Sequence, residues 1–282
     1  MKGYRLLLVL CCCFPLLLGA AEEKRLTVLT TFAPITSLTM QVAGDQAEIT
    51  QFLPPGVDPH HFALSPRHLR LLAKADVLVE NGLRMEEWVT GALKGTRAVR
   101  ISAGQGIRTD DGNPHVWLDP ILAIHQIEVI RDGLSRVDPD HADLYRNNAA
   151  AAIARLRQLD EAIRTTTAGF PDKRLMMAHN AFHYFAKRYG FQVVGVFGKA
   201  HGQEPTPREL RALRKTIGKE KIKVLFLDAE HTPRVMESLA KEFDLRLVRL
   251  DAMEMAPAAP ETYVKVMEAN LKALREALDG GR

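Results

Sequence analysis

Two hydrophobic periodicities take turns along this chain. Residues 26–31 (LTVLTT) are β-branched and alternating, and from Pro34 the apolar positions shift to helical spacing through Leu38 and Val42, which predicts a strand and then a helix. Residues 47–53 (AEITQFL) predict a second strand, stopped by Pro54-Pro55-Gly56 before a loop that carries Asp58-Pro59-His60-His61-Phe62. Ser65-Pro66 caps a helix with Leu69, Leu72 and Ala73 as its apolar face; residues 75–80 are a third strand, 86–93 a short helix and 96–101 a fourth strand. A loop with Asn113-Pro114-His115-Val116-Trp117-Leu118-Asp119-Pro120 leads to a helix over 120–136. Asp138-Pro139-Asp140 then starts a longer helix reaching about residue 168, whose roughly 30 residues at ~1.5 Å each make a rod of roughly 45 Å. The alternation begins afresh after it. Strands are expected over 173–178, 191–197, 223–227 and 245–250, with helices over 179–189, after Pro205-Thr206-Pro207, over 234–243 and over 260–278.

Strand and helix in strict alternation imply parallel sheets with crossover helices, and ligands of such sheets gather at the carboxyl ends of the strands. The expected fold class is therefore α/β, with two parallel-sheet lobes joined by one long backbone helix and a site in the cleft between them. The boundaries are 1–21 for an export signal, 22–137 for the first lobe, 138–168 for the connecting helix and 169–282 for the second lobe.

The signal is read from Lys2 and Arg5 ahead of an apolar run over 6–18, followed by Gly19-Ala20-Ala21 and the abrupt Glu22-Glu23-Lys24-Arg25. The run is too short for a membrane span, which needs roughly 20 apolar residues. All three cysteines, Cys11, Cys12 and Cys13, lie within it, so the processed chain would hold neither a disulfide nor a thiolate metal site. Leu10 ahead of Cys11 is a poor fit to a lipid-anchor signal, and a soluble, exported product is expected. Losing Lys2 and Arg5 takes Lys+Arg from 38 to 36 against 34 Asp+Glu, a formal charge of +2 instead of +4. Basic positions are interleaved with acidic ones, which argues against nucleic acid as a partner.

The candidate chemistry lies in histidines held by stiff backbone. Proline at 114 fixes its own φ and biases Asn113 toward extended geometry, so His115 is carried on a rigid loop, and His60 likewise follows a proline. His179 comes just past a strand, and Asp251 ends a strand of the second lobe. Three imidazoles and a carboxylate make a donor set suited to Zn²⁺. Ten histidines would produce some triad by chance, and a loop histidine is usually a solvated polar group.

Gly56-Val57-Asp58-Pro59-His60-His61-Phe62, Ser65-Pro66, the eight residues from Asn113 to Pro120, Ala178-His179-Asn180-Ala181-Phe182-His183-Tyr184-Phe185 and Glu204-Pro205-Thr206-Pro207 occur in that order across the processed chain. Together they resemble the zinc/manganese solute-binding proteins of ABC importers. The resemblance implies two α/β lobes around a metal cleft, zinc as bound cargo with manganese as the alternative, and delivery to a membrane permease by a periplasmic monomer. It also implies the metal ligands His60, His115, His179 and Asp251. Manganese-binding relatives place a glutamate where this chain has His179, and nitrogen there favours zinc. Two features depart from the family: only His68 lies between His61 and His115, so a His-rich metal-gathering loop is missing, and Ala252-Met253-Glu254-Met255-Ala256 follows Asp251 where the family usually has a glycine.

Asp228 and Glu230, at the neighbouring strand end, are the fallback carboxylates. His61 is placed outside the ligand set because neighbours on an extended loop point opposite ways. His183, four residues after His179 and so on the same helical face, is assigned to packing or support of the ligands. A metallopeptidase would need a glutamate directly after the first histidine, where Asn180 stands. His68, His125, His141, His201 and His231 read as surface or capping residues, and Trp117 and Phe62 as walls of the cleft. Four protein ligands leave no open position for an activated water, so no enzymatic activity is expected. An exported zinc hydrolase with Asp251, Asp228 or Glu230 as base, and an adhesin on the same fold, are the readings from other classes.

Overall fold

A computed structural model of the chain describes residues 25–197, 206–228 and 234–279. The expected export signal, His201, Glu204, Pro205, Glu230 and His231 lie outside them. Two four-stranded, all-parallel sheets form the framework. The first contains β1 (Leu26–Thr30), β2 (Ala47–Gln51), β3 (Val77–Glu80) and β4 (Val99–Ser102) in the order β2-β1-β3-β4. The second contains β5 (Arg174–Met177), β6 (Gln192–Val196), β7 (Val224–Asp228) and β8 (Arg246–Leu250) in the order β6-β5-β7-β8, the same order in the second set of four. The central strands β3 and β7 are buried throughout, as strands covered on both faces must be.

The helices are α1 (Ala33–Ala43), α2 (Pro66–Lys74), α3 (Glu87–Leu93), α4 (Pro120–Val137), α5 (Ala142–Ala168), α6 (His183–Tyr189), α7 (Pro207–Glu220), α8 (Arg234–Phe243) and α9 (Thr262–Leu278). Asp119 caps α4 by accepting from the backbone of Ile121 and Leu122, with Pro120 at its first position. The long helix α5 has 27 residues, roughly 40 Å of rod, and is preceded by a 3-10 turn over Pro139–His141. Its buried stripe of Tyr145, Ala149, Ala152, Leu156, Leu159 and Ile163 keeps the three-and-four spacing of a one-sided packing helix.

One apolar core joins the two sheets. Val28 and Val79 from the first, Leu175 and Phe226 from the second, and Leu156 of α5 belong to the same cluster of buried side chains. The C-terminal helix α9 returns to the first half of the chain: Ser37 of α1 donates to the Pro260 carbonyl at 3.1 Å and accepts from the Tyr263 N–H at 3.2 Å. The Tyr263 hydroxyl donates to the Trp117 carbonyl at 2.6 Å.

Two sequence expectations change. On α2 only Leu72 is fully buried, while Ala73 is exposed and Leu69 stands 46% exposed, because this short helix offers its sheet only a single ridge. The expected helix over 179–189 divides into a 3-10 turn, Asn180–Phe182, and α6, with His179 ahead of both in extended geometry (φ −137°, ψ 146°). His183 therefore does not share a helical face with His179. Among the described residues no helix is long and apolar enough to cross a membrane.

Candidate metal centre

Each histidine is aimed by its local backbone. In the loop after β2, Asp58 Oδ1 accepts the His60 N–H at 2.8 Å and its Oδ2 lies 2.8 Å from His61 Nδ1, an Asx turn that sends the two rings apart. Trp88 Nε1 donates to the Pro59 carbonyl at 2.9 Å and pins the other side of the loop. His115 heads the 3-10 turn Val116–Leu118, beneath which Trp117 is fully buried edge-on to Phe32. Asn113 Oδ1 accepts the His115 N–H at 3.0 Å and lies 2.6 Å from ring Nδ1, while Asn113 Nδ2 donates to the Asn180 carbonyl at 2.8 Å. His179 comes one residue after β5, with Asp228 Oδ2 at 3.9 Å from its Nδ1, within ion-pair reach but too long for a hydrogen bond.

The structure brings His60, His115 and His179 together with Glu254, whose ligand atoms all lie within 4.8 Å of one another. Ring centroids are 5.2 Å apart for His60 and His115, 5.7 Å for His60 and His179 and 4.6 Å for His115 and His179. Glu254 Oε1 is 2.8 Å from His115 Nε2 and 3.3 Å from His60 Nε2. A bare imidazole lone pair and a carboxylate oxygen repel at such distances, so each nitrogen facing Glu254 must carry a hydrogen or share a metal ion with it. His115, His179 and Glu254 are buried, and the His60 side chain keeps 21% exposure, giving the site one open side.

Asp251 is not in this group. Its N–H donates to Asn270 Oδ1 and its carbonyl accepts from Asn270 Nδ2, both at 2.8 Å, and its Oδ1 accepts the Met253 N–H at 2.6 Å. The side chain is spent on closing the turn that delivers Glu254. That turn passes through Met253, fully buried at φ +64°, the left-handed conformation for which glycine is the usual residue. Trp117 Nε1 donates to the Ala252 carbonyl at 2.9 Å, and the Gly56 N–H donates to the Met255 carbonyl at 2.9 Å, tying the turn to the loops of both other histidines from the first sheet. The sequence signal for Glu254 is its isolation: one acid between two methionines in an otherwise apolar stretch over 252–260.

The remaining residues lie elsewhere. Asp228 stands behind His179 and is not in the four-residue group; His61 points outward to Asp58. His183 Nε2 lies 3.1 Å from Asp110 Oδ2, which also takes Lys187 Nζ at 2.6 Å. His68 closes the capping box of α2, His125 Nε2 meets the Gln105 carbonyl at 2.7 Å and His141 Nδ1 meets Asp138. The Trp117 ring lies 5.1 Å from that of His115, and Phe62 packs against Phe52, His68 and Trp88.

Charge inside the site is balanced locally. Burial alone would raise the Glu254 carboxyl, but hydrogen bonds from His115 and His60 and the charge of His115 and His179 hold it well below the usual carboxylate range. Burial pulls the His60 imidazole down, and the hydrogen bond and charge of Glu254, with Asp58 and Glu86, outweigh it, so His60 lies above its ordinary value. Nearby, Glu86 accepts from Thr31 Oγ1 at 2.8 Å, Asn81 N at 2.8 Å and Gly82 N at 3.0 Å. Burial, and then the charge of Glu80, push it up to about 8.

Paired parallel sheets that each contribute two side chains to one buried three-histidine, one-carboxylate cluster define a two-lobed α/β protein with a metal-ion-sized site between its lobes. The chain belongs to the ZnuA family, zinc-uptake complex component A periplasmic, which it matches over residues 28–277. It is 30% identical to the high-affinity zinc uptake system protein ZnuA of Bacillus subtilis, covering 92% of this chain and 90% of that protein. It is 27% identical to the manganese-binding lipoprotein MntA of Halalkalibacterium halodurans, covering 90% and 89%. Among solved structures it resembles the Zn(II)-bound ZnuA-like domain of Streptococcus pneumoniae AdcA at a TM-score of 0.80 and 32% identity, covering 91% of this chain and 100% of that one. The chain spans 62% of the whole AdcA lipoprotein.

Proposed function

We propose that this chain is the solute-binding component of an ABC importer, holding Zn²⁺ with His60, His115, His179 and Glu254 and presenting it to a membrane permease. The observation that carries the reading is the convergence of three imidazoles and one carboxylate, within 4.8 Å, from both halves of the chain. Three nitrogen donors and one oxygen suit tetrahedral zinc, and four protein ligands favour holding the ion over activating water with it, so the chain is read as a non-enzyme. MntA's name supports manganese as the second cargo, for which three nitrogens are the poorer match.

The same reading takes residues 1–21 as an export signal, 22–137 and 169–282 as the two lobes and 138–168 as their connecting helix, supported by a parallel sheet on either side of α5. It takes the protein as a periplasmic monomer with no nucleic-acid role. Relatives named as lipoproteins make an acylated form, anchored through one of Cys11, Cys12 or Cys13, the competitor of the soluble one, and mass spectrometry of the N-terminus separates them. The test of the whole reading is elemental analysis of protein purified without chelator, followed by calorimetric titration of the metal-free chain. A stoichiometric transition metal and saturable zinc binding are expected; absence of both overturns it.

A further inference from the structure

The segment between β4 and the His115 loop ends in Asp110-Asp111-Gly112-Asn113. Asp111 and Gly112 have φ of +50° and +72°, and the Asn113 N–H donates to the Asp110 carbonyl at 3.0 Å. The four residues therefore close a tight turn of the type I′ kind, for which Asp-Gly is a favoured central pair. Its tip is exposed, and a Cβ added at Gly112 would meet nothing within 4 Å, so the glycine is there for its backbone angle.

Both ends of this turn are held by one atom from the other half of the chain. The hydroxyl of Tyr184, a buried residue in the first turn of α6, accepts the Asp110 N–H at 3.0 Å and donates to the Asn113 carbonyl at 2.8 Å. Among side chains only a hydroxyl can take both parts at a single atom, and tyrosine alone carries one on a rigid ring. The Asp110 carboxylate is gripped from the same helix by Lys187 at 2.6 Å and His183 at 3.1 Å, but these pairs lie at the surface, where ion pairs hold weakly. Asn113 is in turn the residue that aims His115, through its N–H and ring Nδ1, and that holds the Asn180 carbonyl next to His179. The contacts thus run from Tyr184 through Asn113 to two of the four candidate ligands, one from each half. Those two, His115 and His179, are the closest ring pair in the site, at 4.6 Å.

We infer that Tyr184 is a positioning residue for the metal: clamping the turn over 110–113 with its hydroxyl, it fixes Asn113 and so sets where His115 stands relative to His179. The inference rests on the zinc-binding reading above. Tyr184 is not one of the four ligands and acts only through the turn. Groups that orient ligands from outside the coordination sphere commonly change metal affinity by about 10- to 100-fold when they are removed. Tyr184 lies one contact further out than Asn113, so its loss belongs at the lower end of that range.

The test compares Tyr184→Phe with Tyr145→Phe, which removes the same atom from another buried tyrosine. The Tyr145 hydroxyl donates to Asp138, at the opposite end of the 18-residue helix α4 from the His115 loop, roughly 27 Å along its axis. Competitive calorimetry gives the zinc affinity. The visible absorption of Co²⁺ put in place of zinc reports the geometry, because four-coordinate Co²⁺ absorbs far more strongly than five- or six-coordinate Co²⁺. Tyr184→Phe is expected to weaken zinc binding about tenfold and to dim the Co²⁺ bands, while Tyr145→Phe leaves both as in the wild type. On an Asn113→Ala background Tyr184→Phe should cost less than about twofold more, because the route to the ligands is already cut. Gly112→Val, which strains the turn at its φ of +72° and meets no neighbour at its Cβ, should lower zinc affinity too, and it decides the matter if Tyr184→Phe does not fold. Wild-type affinity in a folded Tyr184→Phe or in Gly112→Val overturns the inference. So does an equal loss in Tyr145→Phe, or a full tenfold loss on the Asn113→Ala background. A wild-type chain that binds no zinc overturns the zinc-binding reading instead, before any variant is compared.

Discussion

Asn113 grips His115 at two points, with one amide oxygen receiving both the backbone N–H and ring Nδ1. The backbone N–H can only donate, which fixes the amide oxygen as acceptor, Nδ1 as donor and Nε2 as the atom turned to Glu254. Through its Nδ2 the same side chain holds the carbonyl of Asn180, next to His179, so it orients ligands from both halves. Asn113→Ala is expected to weaken zinc binding about 10- to 100-fold, with a stability loss of about 1 kcal/mol. Asn113→Asp, which keeps the acceptor for His115 but loses the donor to the Asn180 carbonyl, should fall between the alanine variant and wild type. Competitive calorimetry against a chelator checks both, and wild-type affinity in the alanine variant would contradict the assignment.

Glu254 and Asp251 lie three residues apart and are given different work. Glu254→Gln removes the only carboxylate of the four-residue group and is expected to lower zinc affinity by at least about 100-fold, since a buried charge partner is lost. Asp251→Asn keeps an acceptor for the Met253 N–H and should stay within a few-fold of wild type. The reverse ranking in a zinc titration would restore Asp251 as the ligand.

The metal-free and zinc-loaded forms should respond to pH with opposite slopes. Glu86, pushed up to about 8, keeps a proton in the folded state that the unfolded chain has lost above roughly 4.5, so stability falls as pH rises between those values. His60, also raised, acts in the same direction: its contribution is complete below about 6.5 and is lost as pH climbs through its folded value. Glu254 acts oppositely, its contribution being lost only in acid, as pH falls through its lowered value. Zinc competes with protons for the imidazoles, so its affinity rises over the interval in which the metal-free fold weakens. Urea unfolding in chelator should thus show a loss on the order of a few kcal/mol from pH 5 to pH 8, beside a rising zinc-loaded melting temperature; parallel slopes would refute this.

His183→Ala should change zinc affinity less than about threefold and leave stability nearly unchanged, because its partner Asp110 is an exposed surface carboxylate also held by Lys187. A loss comparable with that of His179→Ala, in the same titration, would return His183 to the site.

The alternating periods in the sequence reported both sheets because every strand and most helices bury one face against a common core, a constraint written directly into residue spacing. The histidine loops were legible for a related reason: Pro59 and Pro114 stiffen the backbone locally, and stiffness is a property of adjacent residues. The carboxylate was not legible in the same way. Its position depends on Asn270 clamping Asp251 from a helix 19 residues later, on Trp117 holding Ala252 from 135 residues earlier and on a left-handed methionine, none of which leaves a periodic trace. The helical face expected to be common to His179 and His183 is absent because four-residue spacing implies one only if the helix has already begun, and at His179 it has not.

The apolar core common to both sheets has a consequence for how cargo escapes. Halves that share buried side chains cannot swing apart like a jaw without exposing tightly packed interior to water, so the way out for the ion falls to the side of His60, the ligand of the four that keeps 21% exposure. Loaded and empty particles should then scatter X-rays with nearly the same radius of gyration, and the pace of unloading would be set by local opening around one imidazole at the rim.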